Sequence, residues 1–250
     1  MCFNYSINKD PEYLERRFEA EFDEDFHKIY HVSAFEKRSL PVIRGDKADR
    51  FSFFDWGLVP FWVKDNEEAE EIRMKTGNAR ADTLFDKPSY RVPIRKRRCL
   101  IVADGFFEWR EVKGRNYPYY IKMKDDDAFA FAGIWDEWTD KKAGDKLMTF
   151  SLITTDANPL LEKVHNKKKR MPAILSKADE RRWLKDDISK DYVGHMLKPY
   201  EEKELEAYPI KRLITQKGVD ANTPEVLERY DYEGLSGLDK EDEMEQTTLF

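Results

Sequence analysis

Apolar positions along the chain recur at two spacings, and the spacing changes near residue 27. Leu14, Phe18, Phe22 and Phe26 stand four residues apart, which predicts an amphipathic helix over residues 10–26. From there to about residue 154, short runs of β-branched and aromatic residues are separated by Gly, Asp, Asn or Lys, which is typical of strands and turns. The predicted strands lie at residues 51–59, 100–102, 106–109, 117–123, 129–135 and 150–154.

Helices and strands are more evenly mixed after residue 154. Asn158 followed by Pro159 predicts a helix start, and the apolar face of this helix ends near His165. Residues 171–175 and 208–214 are predicted strands, and a capped helix is predicted to begin at Ser176. Together the patterns predict an α+β fold, a single domain whose curved, largely antiparallel, β-barrel-like sheet is flanked by helices.

Charge is distributed unevenly along the 250 residues. The formal net charge is −6, yet residues 201–250 hold 6 basic and 14 acidic side chains, against 38 basic and 36 acidic in residues 1–200. Apolar periodicity also fades beyond Gly218. We therefore predict a folded domain at residues 1–217 and a flexible acidic tail at 218–250, and the net charge does not by itself exclude a nucleic-acid partner.

Composition disfavours several classes of function. The sequence has no apolar run long enough to span a membrane, and its start lacks a charged leader followed by apolar residues. Two cysteines and four scattered histidines are present, without the paired spacing of metal ligands. We expect a cytoplasmic, nucleoid-associated monomer with no metal, cofactor or disulfide, and we expect Cys99 to be a small buried hydrophobe.

Candidate chemistry begins at the second residue. Removal of Met1 would leave Cys2 with a thiol and a free α-amine on adjacent carbons, and such a pair captures an aldehyde first as an imine and then as a thiazolidine ring. Both groups titrate near neutrality when unperturbed, at about 8 for an α-amine and about 8.5 for a thiol. The alternative is an ordinary frayed terminus with no chemical role.

Two further segments place polar side chains among small or aromatic residues. Residues 77–83 surround Asn78 and Arg80 with small neighbours that let a ligand approach, and a simple turn with a surface arginine is the alternative. Glu108 stands between large aromatics in residues 104–109. If its side chain faces the interior, its pKa should rise and suit it to proton transfer. If it faces water, it is only the polar half of an alternating strand.

A third polar segment follows the helix that ends near His165. The negative end of a helix dipole favours protonated histidine, so we expect His165 to act as a proton donor, and a structural histidine is the alternative. Two basic runs, at residues 95–98 and 167–170, flank these candidates. Each run is either a nucleic-acid contact or a solvated face.

The joint occurrence of these segments is more specific than any one of them. Cys2 after Met1, NARADT at residues 78–83, GFFEW at 105–109 and a histidine before RMPAIL at 170–175 together resemble the SRAP family, the abasic-site processing proteins that crosslink to damaged DNA. The resemblance covers about residues 1–215. It implies that Cys2 is the covalent nucleophile. The other implied roles are Asn78 and Arg80 beside the lesion and its phosphate, and Glu108 and His165 as acid/base groups.

The resemblance also implies a function in DNA damage. A ring-opened abasic deoxyribose presents an aldehyde, so the implied activity is a covalent thiazolidine crosslink to single-stranded DNA that shields the lesion, with strand cleavage by β-elimination as a side activity. Exposed bases would stack on aromatic residues, including those of WGLVPFW at residues 56–62, while basic residues follow the phosphates. The expected DNA-binding residues are Arg80, Trp62, Trp109, Lys167, Lys168 and Arg170.

The sequence departs from the family pattern at two places. Many relatives begin Cys-Gly-Arg, with the arginine on a phosphate, whereas here Phe3 and Asn4 follow Cys2. The spacing from His165 to Arg170 is longer than in the common His-x-Arg-Met-Pro form. Two other functions also stay open. One is an N-terminal-nucleophile hydrolase or cysteine peptidase that uses the same cysteine, and the other is a noncatalytic nucleic-acid-binding module in which that cysteine is dispensable.

The end of the chain carries a separate hypothesis. Gln246, Leu249 and Phe250 are similar to the short peptides by which bacterial repair proteins dock on the replication sliding clamp. An incidental apolar end on a disordered tail is the alternative.

Overall fold

A computed structural model describes residues 2–235 and gives them twelve strands and six α-helices. The strands are β1 (Asn4–Ile7), β2 (Ile29–Ser33), β3 (Ser39–Arg44), β4 (Lys47–Trp56), β5 (Asn78–Arg80), β6 (Arg98–Ala103), β7 (Gly105–Val112), β8 (Arg115–Met123), β9 (Phe129–Thr139), β10 (Lys146–Asp156), β11 (Arg170–Pro172) and β12 (Leu205–Pro209). The helices are α1 (Pro11–Phe18), α2 (Asn66–Arg73), α3 (Pro93–Lys96), α4 (Pro159–Val164), α5 (Lys177–Trp183) and α6 (Lys190–Met196).

Five of the strands close into a barrel. Hydrogen bonds join β4, β3, β6, β9 and β10 in that order, and β10 pairs back onto β4 to complete the ring. The pairs in the ring are antiparallel except β10 with β4, which run parallel with Thr149 opposite Asp55. Beyond the ring, the second half of β10 pairs with β5 and with β11.

A second, antiparallel sheet has the strand order β12, β8, β7, β1, β2. One continuous apolar core joins it to the barrel, because Tyr5 of β1 packs on Trp56 with ring centroids 5.0 Å apart and Phe106 of β7 packs on Phe131 at 5.9 Å. Such aromatic pairs stabilise a fold by about 0.5–1.5 kcal/mol beyond the area they bury. The predicted α+β architecture with a largely antiparallel, barrel-like sheet is confirmed.

The first helix is shorter than the sequence pattern predicts. α1 ends at Phe18 because Glu19 takes a left-handed conformation with φ of 50°, and Glu21 then bridges to Arg50 as an extended residue. Phe22 still packs as scaffold, stacked on Phe51 with ring centroids 3.9 Å apart. The spacing of four therefore identified buried side chains correctly, but it predicted a helix correctly only up to Phe18, since extended chain can also bury Phe22 and Phe26.

Elements after residue 154 agree more closely with the pattern. The side chain of Asn158 accepts a hydrogen bond from Leu161 N at the start of α4, and the side chain of Ser176 accepts one from Asp179 N at the start of α5. The strand predicted at 171–175 is only three residues long, as β11, with one further bridge at Ile174. The strand predicted at 208–214 lies earlier, as β12, and Arg212–Thr215 forms a 3-10 turn.

Folded structure also continues past the predicted boundary near Gly218. Val226 is fully buried, and Asn222 accepts a hydrogen bond from Tyr30 N of β2 at 2.8 Å. Ile210 and Arg229 form an antiparallel bridge. Ala221, Val226 and Tyr232 therefore attach this stretch to the second sheet, beyond the boundary predicted at residue 217.

Two residues of the basic run at 95–98, Arg97 and Arg98, are part of the scaffold, while Arg95 and Lys96 are exposed. Arg98 is buried and donates hydrogen bonds to the carbonyl oxygens of Trp183 at 2.7 Å and Ile94 at 2.6 Å, while Arg97 forms an ion pair with Asp136. These two arginines hold α3 and α5 against the barrel, so they are not a solvated face. Within the described residues, no helix combines the length and the apolarity needed to cross a membrane.

Candidate active site

Strands β1 and β7 bring the start of the chain to the candidate acid/base group. Tyr5 lies opposite Phe106, and Ser6 lies opposite Gly105, in an antiparallel pair. Continuing this register toward the start of the chain brings residue 3 level with Glu108. The negative charge of Glu108 is correspondingly close enough to Cys2 to act on the thiol.

The thiol of Cys2 is buried in the chain that still carries Met1. Its side chain is 1% exposed, and the sulfur donates a hydrogen bond to the carbonyl oxygen of Asn4 at 3.4 Å. Burial, and after it the charge of Glu108, raise the pKa of the Cys2 thiol well above its usual range. The expectation of an exposed thiol that titrates near neutrality is therefore wrong for this form of the chain. Cys99 is also buried, as predicted.

Glu108 faces the interior, which confirms the first of the two alternatives for this residue. It is 2% exposed, and burial raises its pKa from 4.5 to about 7. Its Oε1 lies 3.6 Å from Nδ1 of His165, beyond hydrogen-bond length, and has no hydrogen-bond partner among the described residues. Glu108 is thus a carboxyl group that is half protonated near pH 7.

His165 follows α4 and is held by the chain that returns from it. Nδ1 lies 2.8 Å from the carbonyl oxygen of Arg170, and because a carbonyl only accepts, Nδ1 carries the hydrogen. Burial lowers the pKa of His165 to about 4. Burial thus opposes the dipole of the six-residue helix and disfavours the protonated histidine that the sequence predicts. The neutral ring keeps Nε2 as its proton-accepting nitrogen.

The longer spacing between His165 and Arg170 is absorbed by a closed turn. The backbone N–H groups of Lys168 and Lys169 both donate to the carbonyl oxygen of His165, at 3.2 and 2.9 Å, and Lys169 has a φ of 47°. Asn166 makes two hydrogen bonds to the backbone of Glu111 on β7, at 2.8 and 3.1 Å. The insertion therefore leaves His165 and Arg170 adjacent.

Asn78 presents a buried amide at the start of β5. Its backbone is fixed, because Leu152 of β10 lies opposite it and Tyr90 donates to its carbonyl oxygen at 3.2 Å. Its side chain is 9% exposed, and neither the amide oxygen nor the nitrogen has a hydrogen-bond partner among residues 2–235. An unpaired buried amide costs about 1–3 kcal/mol, so Asn78 is poised for a polar ligand.

Arg80 and Arg170 lie on the two short strands that pair with the end of β10. Thr154 is opposite Arg80 on β5 and opposite Pro172 on β11. Arg80 is exposed and pairs with Asp82 at 2.6 Å. Arg170 is buried, and its guanidinium donates to Thr154 O and to Asp156, both at 2.7 Å. Arg80 is accessible to a phosphate, whereas Arg170 already serves the backbone of β10.

The aromatic candidates differ in their placement. Trp62 is 41% exposed beside Phe61 at 53%, while Trp56 of the same segment is fully buried. Trp109 lies on the face of β7 opposite to Glu108, half buried against the small cluster around Phe107. The structure therefore does not bring Trp109 to the acid/base pair.

The lysines of the turn are on the surface near β7. Lys167 pairs with Glu111, and Lys168 is exposed and close enough for its charge to oppose the burial-driven rise of the Glu108 pKa.

Two residues near the site, Arg110 and Phe35, were not among the candidates from the sequence. Arg110 is fully buried two positions after Glu108, on the same face of β7, and the alternation of the strand was the available signal. The exposed Phe35 gave no signal beyond its hydrophobicity.

Comparison with known proteins places this arrangement in a family. The family model described as SOS response associated peptidase (SRAP) matches residues 1–217. The chain belongs to the SRAP family. This assignment confirms the resemblance drawn from the four sequence segments.

Individual SRAP relatives cover most of the chain. Abasic site processing protein YoqW of Bacillus subtilis is 36% identical over 208 residues, which are 82% of this chain and 88% of that protein. Abasic site processing protein HMCES of Gallus gallus is 33% identical over 194 residues, 69% of this chain and 55% of that protein. A crystal structure from Bacteroides thetaiotaomicron is 40% identical with a TM-score of 0.86, and the match covers 92% of this chain and 100% of the other.

The clamp-docking hypothesis concerns Gln246, Leu249 and Phe250, which lie outside the described residues.

Proposed function

We propose that this SRAP protein senses abasic sites in single-stranded DNA and joins itself to them through Cys2. Its family and the names of its relatives, abasic site processing proteins, support the lesion as the target. The covalent step is our inference from the chemistry of the site. A DNA partner is also in keeping with an expected location at the nucleoid.

The covalent step needs removal of Met1 and then proceeds without an oxidant or a reductant. The α-amine of Cys2 adds to the C1′ aldehyde of the ring-opened deoxyribose, and the carbonyl oxygen leaves as water to give an imine. The sulfur then adds to the imine carbon while its proton passes to the nitrogen. One C–N and one C–S bond replace the C=O bond, and the thiazolidine ring closes.

The observation that carries the proposal is the buried pair of Glu108 and His165, with Glu108 close enough to Cys2 for its charge to act on the thiol. With its pKa near 7, Glu108 is available at neutral pH both as an acid for the departing oxygen and as a base for the thiol proton. His165 is neutral with its hydrogen on Nδ1, which lies 3.6 Å from the carboxylate of Glu108. Burial favours the neutral forms of both groups, which suits proton exchange at a buried site.

Asn78 and the basic side chains would hold the strand. The unpaired amide of Asn78 can donate to an oxygen of the sugar and accept from its hydroxyl. Arg80 and the exposed Lys168 are free of the backbone and suit phosphates, provided that Arg80 releases Asp82. Trp62 is exposed enough for a base to stack on it.

Strand cleavage would compete with ring closure. An imine at C1′ acidifies the neighbouring carbon, and loss of that proton expels the 3′ phosphate by β-elimination. Because sulfur addition removes the imine, slower ring closure gives more cleavage. We therefore expect more strand cleavage from Cys2→Ser than from the wild type.

Denaturing gel electrophoresis tests the proposal. The full chain is incubated with an abasic single strand and with the intact strand of the same sequence, after intact mass has established loss of Met1. We expect a heat-stable shifted band with the abasic strand alone, absent in Cys2→Ala and much reduced in Cys2→Ser. Retention of the band in Cys2→Ala, or its absence in the wild type, would overturn the proposal.

A hydrolase is the second candidate, because the family description contains the word peptidase. In that case Cys2 would attack an amide, with its own α-amine as the base, and the enzyme would turn over. A peptide substrate cleaved repeatedly by the wild type and not by Cys2→Ala, without a shifted DNA band, would favour this function.

Clamp docking is a separate proposal for the end of the chain. The sequence of Gln246, Leu249 and Phe250 is its only support. A labelled peptide of residues 241–250 should bind the purified sliding clamp in fluorescence anisotropy. No binding at high micromolar clamp would remove the proposal.

A further inference from the structure

One exposed aromatic side chain near the candidate site has no part in the chemistry proposed above. Phe35 is 58% exposed, more than any other large hydrophobic side chain in residues 2–235. It lies in the segment between β2 and β3, which is hydrogen-bonded to the start of the chain. An exposed phenylalanine ring gains free energy when a ligand covers it. The residues around Phe35 indicate which ligand could do so.

The turn that carries Phe35 is held by hydrogen bonds. Glu36 N donates to Ser33 O at 3.0 Å, and Ser33 N donates back to the carboxylate of Glu36 at 3.0 Å. Phe35 N lies 3.4 Å from Ser33 Oγ. The ring is therefore presented to solvent by an ordered turn, which limits the entropy lost when a ligand packs on it.

A second aromatic ring connects Phe35 to the candidate site. The ring of Phe3 lies 5.2 Å from that of Phe35, tilted by 36°, and Ala34 N donates to Phe3 O at 2.9 Å. Phe3 directly follows Cys2. A Cβ built on Gly77 would stand 3.8 Å from Cε1 of Phe3, so the same ring adjoins the residue before Asn78. Phe3 thus lies next to the proposed nucleophile and to the residue before the unpaired amide, and Phe35 extends this aromatic surface toward solvent.

Residue 4 does not supply a charge at this place. The side-chain oxygen of Asn4 lies 2.9 Å from Nε2 of His31, which is buried. Asn4 is therefore neutral and already engaged within the second sheet. Aromatic surface rather than a cation flanks Cys2 on this side.

We propose that Phe3 and Phe35 form a stacking surface for the nucleobase next to the abasic sugar. The inference rests on the proposed function, because the base is located by the sugar that Cys2 captures. When the abasic sugar of a DNA strand reaches Cys2 and Asn78, the base next to that sugar either stacks on these rings or stays in water. Stacking on aromatic side chains accepts every base, since each has a π face, so this surface selects single strands and not a sequence.

The test separates stacking from covalent capture by using an unreactive probe. The probe is a fluorescein-labelled single strand with a central tetrahydrofuran residue, which lacks the aldehyde. Two further strands each replace one flanking base, on the 5′ or the 3′ side, by a second tetrahydrofuran. Anisotropy gives the dissociation constant of the full chain for all three strands, with the wild type and Phe35→Ala.

We expect Phe35→Ala to weaken binding of the first strand roughly tenfold, the size typical of one lost base stack. Removing one of the two flanking bases should weaken DNA binding by the wild type by a similar factor. The same removal should not further weaken DNA binding by Phe35→Ala. Phe35→Trp should bind at least as tightly as the wild type. Equal affinities of the wild type and Phe35→Ala for the first strand would overturn the proposal. So would a further loss of affinity in Phe35→Ala on removal of either flanking base, as large as in the wild type.

A matched control is provided by Tyr192, which is 40% exposed on α6. Tyr192→Ala should bind all three strands like the wild type, and thermal melting should show that both alanine variants are folded. Wild-type crosslinking to the true abasic strand is assayed in parallel. Absence of that crosslink contradicts the proposed function, whereas anisotropy independent of Phe35 contradicts only the stacking surface.

Discussion

Two buried carboxyl groups, four residues apart along the chain, are placed in opposite environments. Asp104, just before β7, accepts hydrogen bonds from Ser6 Oγ at 2.6 Å, from Asn8 Nδ2 at 2.9 Å and from Lys9 N at 2.9 Å. Glu108 is as deeply buried, yet its Oε1 has no such partner among the described residues.

Burial raises the pKa of both groups, but the rise is opposed by several hydrogen-bond donors at Asp104 and by a single backbone hydrogen bond, from Trp109, at Glu108. A carboxylate saturated with hydrogen bonds is a fixed structural acceptor, because moving a proton onto it breaks those bonds. Glu108 breaks no such bonds at Oε1 when it gains or loses a proton. The difference therefore separates a residue that fastens β1 to β7 from one that is suited to proton transfer.

The largest expected contrast is in the rate of covalent capture. Glu108→Gln should slow crosslinking to an abasic single strand about 100- to 10,000-fold, the usual range for loss of a general acid or base. Asp104→Asn, the matched change at the structural carboxylate, should leave the rate per folded molecule within about threefold of the wild type, because Asp104 takes no part in proton transfer. Single-turnover gel kinetics measures both, and equal losses would contradict the division of roles.

Stability should show the reverse order. Asp104→Asn should lower the free energy of unfolding by about 4 kcal/mol, since an amide cannot accept from all the donors that Asp104 satisfies. Glu108→Gln at pH 5 should change it by less than about 1 kcal/mol, because Gln resembles the protonated acid. Urea unfolding at pH 5 measures both, and a Glu108 variant that is the less stable of the two would contradict the account.

The pH dependence of stability sharpens the contrast at Glu108. The pKa of Glu108 rises from 4.5 to about 7 on folding, so the folded state holds its proton more tightly than the unfolded state. Its contribution to stability is therefore present at low pH and lost as pH rises from about 4.5 to 7. Relative to the wild type, Glu108→Gln should gain about 3 kcal/mol between pH 4.5 and pH 8.

The pH dependence of stability that His165 contributes has the opposite sign to that of Glu108. His165 is present in both the wild type and Glu108→Gln. Its pKa falls to about 4 on folding, so its contribution is lost as pH falls from about 6.5 to 4. Because burial is the main cause of the lowered His165 pKa and is common to the wild type and Glu108→Gln, most of this loss cancels in their difference. A difference that does not vary with pH would contradict the raised pKa of Glu108.

The smallest effect is expected at the exposed pair of Arg80 and Asp82. Exposed ion pairs contribute only about 0–1 kcal/mol, so releasing Arg80 should help phosphate binding only slightly. Asp82→Asn should tighten binding of single-stranded DNA about two- to fourfold and steepen its dependence on salt. Anisotropy at three salt concentrations measures this, and Asp187→Asn, in the exposed pair of Arg182 and Asp187, provides the matched control. Weaker binding by Asp82→Asn would show that Arg80 needs its partner.

Much of the site was predictable because its chemistry depends on residue type. Cys2, Asn78, Glu108 and His165 were found from small neighbours, aromatic surroundings and a helix end, whereas the sequence left open whether Glu108 faces inward or outward. Protonation was not predictable, because the pKa of His165 depends on burial that only the folded chain provides. The same holds for Cys2, whose thiol is covered in the chain that carries Met1.

Local spacing was also insufficient where tertiary contacts decide the conformation. The apolar spacing at Phe22 predicted a helix, but the ring packs from extended chain on Phe51. Short edge elements such as β5 have too few residues for a periodic pattern and exist because β10 pairs with them. Asp104 and Glu108 look alike in sequence, since both are acids among apolar residues, and only the donors that surround them distinguish the two.

Intact mass spectrometry of the crosslinked product tests covalent capture most directly. The account predicts the mass of the chain without Met1 plus the mass of the abasic strand, less one water, and no change on treatment with borohydride, because a closed thiazolidine has no imine to reduce. The Cys2→Ser product, where it forms, should gain two hydrogens. A wild-type product that borohydride reduces, that retains Met1 or that maps to another residue such as Lys168 would contradict capture by the aminothiol of Cys2.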